Sequence, residues 1–165
     1  MKDQPTVADL PLCDFCRSRS QAYTETQGLL SMMGVRVSAE YKGSRPSTWG
    51  VEYRHGVDAW EITIRRAGQL RYRTDYYSGH GNRKNGTPVV PLVMDVLRSL
   101  IGDVRAGELD YASFLADFGY NGTEKDKRAG RMVWLRCAEA KRAMLEVFSR
   151  DELMLLETAV AEDFE

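Results

Sequence analysis

The feature that most constrains this chain is a double run of strict alternation between residues 60 and 76. Trp60, Ile62 and Ile64 alternate with Glu61, Thr63 and Arg65. After Ala67-Gly68-Gln69, Leu70, Tyr72, Thr74 and Tyr76 alternate with Arg71, Arg73 and Asp75. A period of two places one set of side chains on a core and the other in water, which a helix cannot do with this spacing. The pattern therefore predicts a β-hairpin with a buried and a solvated face. A two-residue turn at Ala67-Gly68 would set Ile64 against Arg71 and mix the faces. A three-residue loop sets Ile64 against Tyr72, Ile62 against Thr74 and Trp60 against Tyr76, and is preferred because a slip of one residue exchanges the faces.

Other elements are laid around this hairpin. Val35, Val37, Ala39 and Tyr41 alternate with Arg36, Ser38 and Glu40, which predicts a half-buried strand, and Val51–Tyr53 has the composition of a short one. The residues from Ser18 to Met33 have the character of a helix stopped by Gly34, preceded by an arm with Pro5 and Pro11. Thr87 is placed to cap a helix opening at Pro88. Val89, Leu92, Val93, Val96, Leu97, Leu100 and Ile101 form its apolar face, interrupted near Gly102.

Tyr111, Phe114, Leu115 and Phe118 predict a short helix ended by Gly119. Thr123 and Asp126 resemble a capping box for the longest helix. Its stripe is Ala129, Val133, Cys137, Ala140, Met144 and Val147, with Gly130 weakening the first turns. A last helix, from about 151 to 161, gathers Leu153, Leu155, Leu156 and Val160. Strands first and helices after make the expected class α+β: an antiparallel meander followed by three to four helices packed on one face. The division expected is an N-terminal arm, 1–33, and one domain, 34–165, with the sheet at about 34–78 and helices at about 88–161.

With 165 residues, 43% hydrophobic and 28% charged, the chain has the composition of one globular domain. No apolar run approaches the roughly 18 residues of a membrane span, and no charged-then-apolar leader opens the sequence. Three cysteines, Cys13, Cys16 and Cys137, fit a reducing compartment, so a cytoplasmic location is expected. Residues 1–90 hold 13 Lys/Arg against 9 Asp/Glu, a net of +4, and residues 91–165 hold 10 against 15, a net of −5. Neither half is basic enough to declare a nucleic-acid binder.

Candidate sites follow from this reading. The solvated hairpin face sets Arg65 opposite Arg71, with Arg73 two residues along and Tyr77 nearby. Like charges facing each other destabilise strands, and Glu61 diagonal to Arg73 offsets part of that. The face is either a solvated surface or a basic platform for phosphate or an acidic protein. The loop from Ser78 to Thr87 offers His80, Arg83 and Lys84 as phosphate contacts, against a plain sheet-to-helix connection. Gly81 and Gly86 have P-loop spacing, but Thr87-Pro88 stands where Lys-Ser/Thr is required. Cys13 and Cys16 have the spacing of half a zinc site; no second pair accompanies them, so two ordinary thiols are preferred and no metal or cofactor is expected. His55 or His80 would have to supply any general base, and no nucleophile motif goes with either, so no catalytic residue is assigned.

Several of these residues carry a resemblance. Trp60 to Arg66, Tyr76-Tyr77-Ser78-Gly79-His80-Gly81, Asp95-Val96-Leu97 with Leu100 and Asp103, Tyr111, Phe114, Phe118-Gly119-Tyr120-Asn121, Trp134 and Cys137 resemble small proteins encoded by phages and other mobile elements. The likeness covers roughly residues 57–150; residues 1–55 lie outside it, and Asn121 stands where an acid is expected. Some such proteins are anti-CRISPR inhibitors. The resemblance implies a binding protein that disables a host defence nucleoprotein, such as a CRISPR–Cas effector, and it transfers no functional residue. A direct nucleic-acid-binding module is the alternative and an enzyme the third. Bare nucleic acid is expected to bind weakly, a homodimer is compatible, and no membrane partner is expected.

Overall fold

A computed structural model describes residues 14–46 and 56–161, with side chains from Arg19 onward. Helix α1 (Asp14–Met33) precedes strands β1 (Val35–Arg45), β2 (Val57–Arg66) and β3 (Gln69–Gly79). Helices α2 (Val93–Gly107), α3 (Tyr111–Asp117), α4 (Glu124–Val147) and α5 (Arg150–Val160) follow. The strands form an antiparallel sheet in the order β1-β2-β3. The expected α+β class holds, with four of the helices after the sheet. Val51–Tyr53 and His55 lie outside the described residues, as does Cys13, and Cys16 lies in the part of α1 whose side chains are not described.

All the helices share one side of the sheet. Trp60, Ile62 and Ile64 point into a core built with Met94, Leu97 and Leu100 of α2, Met144 of α4 and Leu156 of α5. Ala22 and Leu30 join that core from α1, which starts four residues before the expected Ser18 and stops at Gly34, whose φ is +70°. A smaller cluster of Ala106, Phe114, Leu115 and Cys137, flanked by Trp134, seats α3 against α4. Burying Ile62, Ile64, Leu97 and Leu156 contributes about 2 kcal/mol each before entropy is charged.

The hairpin faces are as the alternation requires, with Ile64 opposite Tyr72, Ile62 opposite Thr74 and Trp60 opposite Tyr76. The loop is not three residues long. Arg66 pairs with Gln69 and Arg65 with Leu70, so Ala67-Gly68 is a two-residue turn, with φ values of 52° and 77°. Two left-handed residues match the twist of the flanking strands. A bulge between Tyr72 and Leu70 absorbs the odd residue, Arg71. Turn length and register are thus separate choices, because a bulge uncouples them. Arg71 has no residue opposite it, and the expected Arg65–Arg71 pairing is corrected.

Three helix details also differ. Helix α2 opens at Val93, after Leu92, and not at Pro88. A helix from Pro88 would need Val90 in the α region directly before Pro91, where the proline ring clashes. Gly102 does not interrupt it. In α4 the capping box of Thr123 and Asp126 is present, but Ala129 is exposed and Gly130 is the buried residue. A Cβ at Gly130 would overlap Tyr120 and Leu115, so the glycine permits the α3–α4 loop to close. In α5, Leu155 is exposed while Leu153, Leu156 and Val160 are buried.

Candidate functional site

With every helix on one side, the other face of the sheet stays open. Its charges fall in rows across the strands. Arg36 lies opposite Arg65, and Ser38, Thr63 and Arg73 make the next row. Beyond it Glu40, Glu61 and Asp75 stand directly opposite one another. Opposed residues in a sheet sit about 5 Å apart, so these are like-charge contacts that cost stability. The offsets are small. Arg73 Nε lies 3.6 Å from Glu61 Oε1 and Lys42 Nζ 3.4 Å from Glu40 Oε1, and such exposed pairs contribute about 0.5 kcal/mol.

Arg36, Arg65 and Arg71 are exposed and make no hydrogen bond or ion pair with described residues. Four residues along the strand separate the arginine row from the carboxylate row, about 13 Å. Tyr77, opposite Ala59 and 40% exposed, borders this face. Arg36 and Glu40, on β1, join the surface through the pairing of β1 with β2, which the hairpin pattern alone does not contain.

The loop after β3 is a different object from the one expected. Asp58 is 1% exposed and gathers its donors. Arg83 donates from Nε to Oδ2 at 3.1 Å and from Nη2 to Oδ1 at 2.6 Å. Tyr41 donates its hydroxyl to Oδ1 at 3.2 Å, and His80 Nε2 lies 3.4 Å from the same oxygen and 2.8 Å from Ser44 Oγ. The Arg83 guanidinium holds the Asp58 carboxyl below its ordinary range, against the burial that pushes it up. Arg83 and His80 are therefore engaged as tethers that pin the loop to β1 and β2. Lys84 stays exposed beside a tight Asn85-Gly86 turn closed by its own bridge to Thr87. Helix α2 begins only at Val93, so it does not open directly from this loop at Thr87 and Pro88. Asp58, Tyr41 and Ser44 went unnoticed in the sequence because nothing local marks a partner 25 residues away.

A groove runs between β3 and helices α2 and α4, with a volume of about 580 Å³. Its walls are apolar, and its polar groups are Ser99 and Asp103 of α2, Arg136 and Cys137 of α4, and the Asp75 main-chain carbonyl with Tyr76 and Tyr77 at the β3 edge. Arg136 donates from Nη2 to the Asp75 carbonyl at 3.1 Å. Burial raises the Asp103 carboxyl, with Arg136 opposing. Burial, then the charge of Asp103, pushes the Cys137 thiol up to about 11, so it is protonated at neutral pH and is a poor nucleophile.

His80, Asp95, Glu108 and Asp110 are held in pairs that build the fold. His80 meets Asp58 rather than Asp75 or Asp95, and Asp95 pairs with Arg19 and Arg98. Glu108 pairs with Arg150, and Asp110 caps α3 by accepting from Ser113 N. Among the described residues no three His, Cys, Asp or Glu side chains converge to hold a metal ion, and no helix is long and apolar enough to cross a membrane. Comparison of the chain with protein-family models, curated proteins and solved structures finds no match.

Proposed function

We propose that this protein acts by binding a macromolecular partner across the open face of its sheet. The observation that carries this is the row arrangement: Arg36 against Arg65, and Glu40 against Glu61 against Asp75. Folding alone gives no reason for three carboxylates abreast, because the arrangement costs stability that a polar neutral residue would not. A partner presenting the opposite stripes relieves the repulsion and gains orientation from it. A nucleoprotein offers such stripes, phosphates for the arginine row and, beside them, the basic side chains that hold the nucleic acid for the carboxylate row. The finer proposal, inhibition of a host defence nucleoprotein such as a CRISPR–Cas effector, adds to this surface the resemblance seen over roughly residues 57–150.

Replacing Arg65, Arg71 and Arg73 together by alanine is expected to leave the melting temperature unchanged or slightly raised while abolishing capture of the nucleoprotein from expressing host cells. Early unfolding of the triple variant would make these residues structural. Bare duplex DNA is expected to bind weakly, since the carboxylate row repels phosphate. Tight binding to naked nucleic acid that falls steeply with salt, with no protein captured, would sink the inhibitor reading in favour of a direct nucleic-acid binder.

A further inference from the structure

We propose that this chain pairs with a second copy of itself through the free edge of β3, joining two three-stranded sheets into one of six strands. Strand β3 is the last of its sheet, and no main-chain group of a described residue outside the sheet bonds to it. The Asp75 carbonyl accepts instead from the Arg136 side chain of α4, so it points away from β2. Outward residues alternate in an antiparallel ladder, which turns the main-chain N–H and C=O of Arg73, Asp75 and Tyr77 to the free edge. An edge with unpaired donors and acceptors is a template for another strand.

The inner side of this edge is left part-covered. On β2, Trp60, Ile62 and Ile64 are at most 3% exposed, while Tyr72, Thr74 and Tyr76 of β3 are only half-buried. Tyr76 borders the groove of about 580 Å³ toward α2 and α4. A strand added beside β3 covers this side of it.

Charge sets the occupant. Arg73 and Asp75 lie two residues apart on the open face of β3, and both are exposed. Two antiparallel copies related by a two-fold axis at Thr74 place Arg73 of each opposite Asp75 of the other. Opposite charges directly across a ladder stabilise it, as do the inner pairs of the same register, Tyr72 on Tyr76 and Thr74 on Thr74. A slip of two residues sets Asp75 on Asp75 in one direction and Arg73 on Arg73 in the other, so the charges select one register. A contact of this isologous kind closes at two copies.

Pairing exchanges the Arg136 donor at the Asp75 carbonyl for the Arg73 amide of the second copy. It leaves Arg36, Arg65, Glu40 and Glu61 free on the open face, and so does not rest on the function proposed for that face. Edge β1 offers a rival, Arg36 on Glu40 of a second copy. Strand β3 is favoured because its outward carbonyl already draws a donor and its side borders open space.

The test is sedimentation equilibrium of the full chain, with amide NMR at the same concentrations. A contact of a few residues on each strand is smaller than the roughly 1,200 Å² of a stable interface, so a dissociation constant on the order of 100 μM is expected. Amides that shift with concentration are expected to centre on Arg73 to Tyr77. Arg73→Asp makes both positions acidic and Asp75→Arg makes both basic, and each variant should lose self-association by on the order of tenfold or more. Their equimolar mixture should recover it as a heterodimer, which requires both chains to be folded. Glu40→Arg should dimerise like the parent. The proposal is overturned if the parent stays monomeric at millimolar concentration, or if its shifting amides lie on β1 or the helices. It is equally overturned if either β3 variant self-associates like the parent, if the mixture does not pair, or if Glu40→Arg abolishes the dimer. The parent's own sedimentation and amide shifts need no variant, so they decide even if a substitution disturbs the fold.

Discussion

Asp58 and Asp103 are both carboxylates drawn away from water, and the protein treats them in opposite ways. Asp58, on β2, receives a forked guanidinium, a tyrosine hydroxyl and a histidine, and its carboxyl is held in the charged form. Asp103, on α2, receives no hydrogen bond from a described residue and its carboxyl is pushed toward the neutral form. The difference separates a carboxylate that builds the fold from one the fold merely tolerates. Where donors are invested, the group pins a loop; where they are withheld, the group stays half-exposed with Arg136 as the charge that acts on it. The same contrast divides two adjacent arginines. Arg66 turns inward to fork onto Glu152 and to donate to the Val147 carbonyl, while Arg65 stands bare on the outer face.

Breaking the invested side should produce the largest effect. Asp58→Asn leaves the Arg83 charge against a buried neutral amide, with one acceptor oxygen where Arg83 and Tyr41 had two, and breaking one partner of a buried ion pair costs about 3 to 5 kcal/mol. Arg83 keeps some contact with solvent, 25% exposed, so the lower end is expected in urea unfolding. Arg83→Ala, which strands the carboxylate itself, should cost at least as much. If Asp58→Asn unfolds within about 0.5 kcal/mol of the parent, the tether is not structural, and the loop regains its standing as a free phosphate-binding segment.

A middle-sized effect is expected at Glu152, which Arg66, first, and then the Ser149 amide hold down to about 2 from an ordinary 4.5. A carboxyl that titrates lower when folded contributes its full stability above about pH 4.5 and loses it as the pH falls toward 2. Glu152→Gln should therefore cost about 2 kcal/mol at neutral pH, discounted for the partial exposure of the pair, and the gap to the parent should shrink through that acid window. A gap that is the same at pH 7 and pH 3 would assign the loss to the capping box rather than to the ion pair.

What the sequence discloses about these groups follows from how local their causes are. The hairpin faces were legible because alternation is a property of neighbours: Trp60, Ile62 and Ile64 need only their own spacing to be assigned inward. The Thr123–Asp126 cap was legible for the same reason, and the Ser149-Arg150-Asp151-Glu152 cap of α5 carried the same mark unread. The start of α2 was misplaced although its cause, Val90 before Pro91, is a dipeptide. Arg36 joined the charged face only through the pairing of β1 with β2, which the hairpin pattern does not contain. The Asp58 tether and the groove are set by contacts between distant segments. One such contact is the close approach of Gly107 to the backbone at Cys137, where a Cβ would not fit.

The smallest expected effect has the opposite sign and tests the withheld side of the comparison. Asp103→Asn keeps the shape of the side chain and removes a charge that burial disfavours, with Arg136 the facing group that partly supports it. A carboxyl that titrates higher when folded binds its proton more readily than in the unfolded chain. Its penalty is therefore full above the folded value and fades as the pH falls to the ordinary 3.8. The variant should be more stable than the parent at neutral pH by on the order of 0.5 kcal/mol, the scale of a change that breaks no contact. That gain should vanish on acidification. Urea unfolding of parent, Glu152→Gln and Asp103→Asn across pH 7 to about 3 thus gives two gaps of opposite sign that both close toward acid. A loss of stability on Asp103→Asn at neutral pH would mean that Arg136 pairs with Asp103 strongly enough to matter. The groove would then be matched in charge from within, and the contrast with Asp58 would be one of degree.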